Sequence, residues 1–265
     1  TFVALPEVIG TTAGFITPGQ NGGFMGGKYD PFVIAQHPDE PDFKVKNLHP
    51  VEGLNPQRLQ SRVGLQKQFD DFRRELGDTT DAAEMASINQ RAVDLVTAPE
   101  VFGAFNIAAE SRHERERYGM HTFGQSTLLA RRLLEAGVKL VTVYWHRDKP
   151  GVDTTWDTHA KSFSGLKDRL VPQVDQPIAN LLEDLQQRGM LDDTLIVWNS
   201  EFGRTPRINK NAGRDHWGKC NTVWMAGAGV PGGQAYGASD KTASEPVSDP
   251  VSPGDVAATI YHLLG

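Results

Sequence analysis

Between Ser126 and Trp198 the apolar residues change spacing twice, and nothing else in the chain narrows the fold as much. Ser126 to Glu135 reads as a helix, closed by Gly137 where a left-handed residue ends a helix. Val138 to Trp145 is β-branched and aromatic and reads as a strand. After a polar stretch, 146–159, residues such as Leu166, Leu170, Val174, Ile178, Leu181 and Leu185 recur at helical spacing over roughly 160–188. Pro172 and Pro177 predict a kink there. Thr194 to Trp198 reads as a buried strand. Strand, helix and strand in this order predict a parallel crossover unit, and hence an α/β fold. The loops leaving both strand ends, 146–159 and 199–217, then open on one sheet edge, where such sheets bind ligands.

The flanking segments agree with one large domain, 1–265. Thr1 to Leu5 is strand-like, with nothing before it. Residues 17–32 are rich in Gly and Pro, and 52–98 read as a helical hairpin inserted beside the sheet. Gly22 to Lys28 nearly fits a phosphate loop. Tyr29 replaces the magnesium-binding hydroxyl, however, and Pro31 blocks the helix that should follow. Gly227 to Gly232 formally fits a dinucleotide-binding fingerprint, but no helix pattern follows it, so that reading is rejected. Ser252-Pro-Gly-Asp255 predicts a capped final helix, packed through Ala257, Ile260, Tyr261 and Leu264.

Composition excludes several functions. The net charge is −6 and no basic stripe occurs, so nucleic acid is not an expected partner. The single cysteine, Cys220, allows no disulfide within the chain. No apolar run is long enough to span a membrane. Oligomeric state is not legible.

The chemistry concentrates in two stretches. Asp157-Thr-His159 places two ligand types two apart, which in extended backbone share a side. Glu201 directly follows an apolar strand, where a carboxylate needs a cation, an arginine or backbone donors. Arg204 is close enough to be its ion partner. His216 sits in a polar loop with no apolar reason for a histidine. Each residue has a plain alternative: a helix cap at Asp157, a Glu201–Arg204 pair, a hydrogen-bonded loop histidine. Together, Asp157, His159, Glu201 and His216 predict a site for one or two divalent ions. Mixed nitrogen and oxygen ligands favour zinc or manganese over calcium or magnesium. Arg204 and Arg214 are candidate anion-binding residues, because the guanidinium fork suits an oxyanion. A small anionic ester, or a sulfated or phosphorylated glycan, is the expected partner.

Trp156-Asp-Thr-His159, Glu201-Phe-Gly-Arg-Thr-Pro206, Gly213-Arg-Asp-His-Trp217 and Asp255-Val-Ala-Ala-Thr-Ile-Tyr261 resemble the DUF1501 family over essentially the whole chain. These are uncharacterised bacterial proteins related to sulfatases, in the alkaline phosphatase-like superfamily. The resemblance implies a three-layer α/β/α sandwich with a mostly parallel sheet, incomplete here at the N-terminus. It implies a metal-dependent hydrolase of sulfate or phosphate esters, in which Asp157, His159 and His216 hold one ion. A second ion would need an Asp-His pair where this chain has Glu201-Phe202. The nucleophile is expected upstream of Thr1, which leaves this polypeptide catalytically incomplete. The alternative is a binding or scaffold protein that kept the fold without the chemistry. A periplasmic or cell-envelope location is implied by the resemblance alone.

Overall fold

The computed structural model describes residues 2–10, 15–45, 61, 64–65, 99–146 and 155–265. The chain forms a mixed α/β structure in two compact units, Thr1–His146 and Arg147–Gly265. Apart from residues 61, 64 and 65, the expected hairpin 52–98 lies outside the described residues.

The first unit is organised by a parallel sheet of β1 (Phe2–Leu5), β2 (Phe32–Val33) and β3 (Leu140–Val143), in the order β2-β1-β3. Val3 sits beside Phe32 on one side and Val141 on the other. As the middle strand, β1 must be apolar on both faces. Val3, Ala4 and Leu5 are accordingly buried. Helices α1 (Pro99–Ala104), α2 (Arg112–Arg117) and α3 (Thr122–Glu135) follow in sequence. Helix α3 packs on β3, with Leu128, Leu129 and Leu133 wholly buried. It starts four residues before the apolar spacing becomes visible, because His121 caps it: Gly124 N donates to His121 Nδ1 at 3.2 Å. It stops at Ala136, and Gly137 takes φ 86°.

The glycine-rich loop is not a phosphate cradle. Gly22 N, an amide that an anion would need, already donates to Asp30 Oδ1 at 2.7 Å. Two short 3₁₀ turns, Gly23–Met25 and Gly27–Tyr29, follow.

In the second unit, α4 (Ser162–Gly165), a π-helical stretch (Leu166–Leu170) and α5 (Val171–Gln187) form one helical path. The widened turn lies just before Pro172, where the irregularity was expected, and Pro177 is accommodated inside α5. Leu170, Leu181 and Leu185 are its buried face, and Gly189 at φ 66° ends it. Among the described residues, three two-stranded antiparallel sheets complete the unit. They pair β4 (Ile196–Trp198) with β7 (Trp224–Ala226), β5 (Gly203–Arg204) with β6 (His216–Trp217), and β8 (Ala238–Ser239) with β9 (Pro246–Ser248). Helix α6 (Pro253–Leu264) has the predicted capping box at Ser252 and Asp255.

Three expectations are corrected here. Strand β4, expected in a parallel crossover unit, pairs antiparallel with β7. The apolar run specifies a strand but not its neighbour. Strand β4 is also only half-buried, with Val197 37% exposed. On α6, Ala257, Tyr261 and Leu264 are exposed, whereas Val256, Ile260 and Leu263 are partly covered. Its apolar residues spread over a wide arc opposite the polar stripe of Asp255, Thr259 and His262, so periodicity could not select the covered part of that arc.

A buried ion network ties α3 to the segment before α2. Arg131, only 1% exposed, donates to Glu110 and Glu135 at 2.8 Å each, and Arg132 also binds Glu110. Burial works to raise the Glu110 pKa, but the hydrogen bond from Arg132 and the charge of Arg131 outweigh it and hold the carboxyl below its usual range. A depressed carboxyl pKa contributes stability that is complete above the unfolded value of about 4.3. That stability is lost as pH falls through the lower folded value. Glu110→Gln should therefore cost about 3 kcal/mol near neutral pH, and less in acid. Urea unfolding of both proteins at neutral and acid pH measures the difference.

Candidate metal centre

The site is built from the β5–β6 hairpin and the loop that ends at α4. Antiparallel register sets Arg204 directly opposite His216, and Gly203 opposite Trp217. Cross-strand neighbours share a face, so Arg204 and His216 reach the same point. The hairpin loop closes on itself through Thr205 N to Asp215 O, Asp215 N to Thr205 Oγ1 and Asn209 N to Gly213 O.

Backbone hydrogen bonds lace this loop to residues 157–162. Arg214 N donates to Thr158 O, Lys161 N to Asn211 O and Ser162 N to Ala212 O. Asn209 Nδ2 donates to the His159 carbonyl at 2.9 Å. The approach is close enough to require glycine at 213, since a Cβ there would lie 2.0 Å from His159 O. Asp157 and His159 are not in extended backbone, as the spacing argument supposed. His159 N donates to Asp157 O at 3.0 Å, a tight turn that still aims both side chains at one point.

Three ligand-type atoms converge there. Asp157 Oδ1 lies 3.0 Å from His159 Nε2 and 2.9 Å from His216 Nε2, and the two Nε2 atoms are 3.1 Å apart. These residues form a group able to hold a cation. Tetrahedral bonds of about 2.0–2.1 Å put neighbouring ligand atoms roughly 3.3 Å apart, so this near-equilateral triangle is close to one face of such a shell. The side chains are about half-exposed, at 40% for Asp157, 43% for His159 and 48% for His216, which leaves one side open to solvent.

Surrounding groups support the triangle. Arg204 Nη1 donates to Asp157 Oδ1. Burial works to raise the Asp157 pKa, but hydrogen bonds from Arg204 and His216 outweigh it and hold the carboxyl below its ordinary range. Phe202 packs on the His216 ring, with centroids 4.3 Å apart. Asp215 accepts from His159 Nδ1 at 2.8 Å. This bond, and then that from Asn209, pulls the Asp215 pKa down.

The structure brings together Asp157, His159 and His216, with Arg204 beside them. Arg204 has its carboxylate partner in Asp157. Glu201 is exposed and stands outside the three-residue group. Arg214 Nη1 donates to the carbonyls of Thr205 and Pro206, bracing the hairpin. Asp215 and Asn209 were not singled out from sequence. Asp215 adjoins His216, but its partner is His159, 56 residues away, and only the loop fold reveals it.

The chain belongs to the DUF1501 family, described as a protein of unknown function, whose family model matches residues 1–265. No curated protein matches it. No solved structure matches it.

Gly213→Ala should force the two loops apart. The expected cost is about 1–3 kcal/mol, seen as a lower midpoint of thermal unfolding, together with shifted ring resonances of His159 and His216.

Proposed function

We propose that this chain carries a divalent-metal centre held by Asp157, His159 and His216, and that the centre serves hydrolysis of sulfate or phosphate esters. One observation carries the reading: three ligand atoms of suitable type stand 2.9–3.1 Å apart on loops laced together by backbone bonds. Two imidazoles and one carboxylate suit zinc or manganese. Three protein ligands with an open side are the arrangement of catalytic rather than structural sites.

When bound, the ion would polarise an ester oxygen and lower the pKa of a coordinated water. The protein's own part is positional. Asp157 and the two histidines face one point, Phe202 buttresses the His216 ring, and Arg204 places a guanidinium beside the carboxylate, within reach of an anionic substrate. The attacking group would be water or a side chain from outside this cluster. The family resemblance supplies the ester class, the α/β/α sandwich and the envelope location that belong to the same proposal.

A second reading, a binding protein without turnover, is favoured by Phe202. It stands where the resemblance would put a ligand of a second ion, and a phenyl ring cannot bind metal.

Zinc and manganese titrations of the purified full-length protein, with hydrolysis of aryl sulfate and aryl phosphate, separate these readings. The hydrolase reading expects one ion per chain, loss of binding in His216→Ala, and metal-dependent turnover. Metal binding without turnover selects the second reading, and no binding rejects the centre.

A further inference from the structure

We infer that Asp215 is a positioning residue, locking His159 in the one tautomer that can bind a metal through Nε2. The inference rests on the metal-centre reading and adds the group that determines whether His159 can act as a ligand.

Proton accounting carries the argument. His159 Nδ1 lies 2.8 Å from Asp215 Oδ1. An ionised carboxylate only accepts, so Nδ1 must carry the hydrogen. A neutral imidazole has one N–H, and Nε2 is left with its lone pair. That lone pair faces Asp157 Oδ1 at 3.0 Å and His216 Nε2 at 3.1 Å. Asp157 is itself an acceptor, and two acceptors at that distance repel unless positive charge lies between them. His216 can offer at most one N–H from Nε2 and cannot satisfy both neighbours fully. A metal ion on the Nε2 side resolves the conflict with His159 neutral; the alternative, a proton on Nε2, is what the ring shifts below detect.

Asp215 is also fixed in its supporting position. Its Oδ1 takes a second hydrogen bond from Asn209 Nδ2 at 3.1 Å, and its backbone N donates to Thr205 Oγ1 at 3.0 Å. Asn209 is held in turn, because its Oδ1 accepts from Asn211 N and Gly213 N. Asp215 is not part of the three-residue ligand group. A carboxylate that orients a metal-bound histidine from behind raises its basicity, and losing such a partner typically weakens metal affinity about 10- to 100-fold.

The test is zinc affinity by calorimetry for the whole chain and for Asp215→Ala, Asp215→Asn and His159→Ala, combined with ¹⁵N shifts of the His159 ring in the metal-free wild type at about pH 8, above the histidine range. Asp215→Ala should bind zinc about 10- to 100-fold more weakly. Asp215→Asn, whose amide oxygen can still accept from Nδ1, should lose less. The ring should show Nδ1 protonated and Nε2 bare. Wild-type affinity in Asp215→Ala, with binding lost in His159→Ala, overturns the role of Asp215 and leaves the metal centre standing. Failure of the wild type to bind zinc removes both. If Asp215→Ala does not fold, the ring tautomer decides, and a proton found on Nε2 overturns the inference.

Discussion

A single carboxylate oxygen holds the site together. Asp157 Oδ1 binds Arg204 and His216, which reach it from the two strands of a hairpin, and faces His159 Nε2. Such crowding requires the backbone to be placed first. The lacing between residues 157–162 and 205–215, with Gly213 pressed against the His159 carbonyl, does that placing. The side chains then converge on loops otherwise open to solvent, so the geometry rests on hydrogen bonds rather than on a thick apolar core. Among the described residues of the second unit, the buried leucines, Leu170, Leu181 and Leu185, all lie on one helical path.

The first unit is held differently. Its central strand and α3 bury an apolar core, and the charge within that core, Arg131, is satisfied by two carboxylates. A buried guanidinium without partners would be costly. Glu110 and Glu135 are therefore structural here, although their charge alone could suggest a functional site.

Much of the local structure was legible because local rules determine it. The end of α3 follows from Gly137, the start of α6 from Ser252 and Asp255, and the irregular turn near Pro172 from a missing amide. His216 was visible as a histidine without an apolar reason for its place, and Asp157 and His159 as two ligand types two apart. What escaped depends on contacts distant in sequence. The partner of β4 is one case, since an apolar run does not name its neighbour. Arg204 is another: Glu201 is nearer in sequence, but the hairpin register turns Arg204 toward Asp157. The covered side of α6 was lost because its apolar residues span a wide arc and only part of it is covered.

The metal centre is the claim on which the functional reading turns. X-ray absorption at the zinc edge of the loaded protein tests it most directly. The account predicts a low-coordinate shell of nitrogen and oxygen at about 2.0–2.1 Å, with outer-shell scattering from two imidazoles. A shell of oxygen alone, with no imidazole scattering, would contradict it.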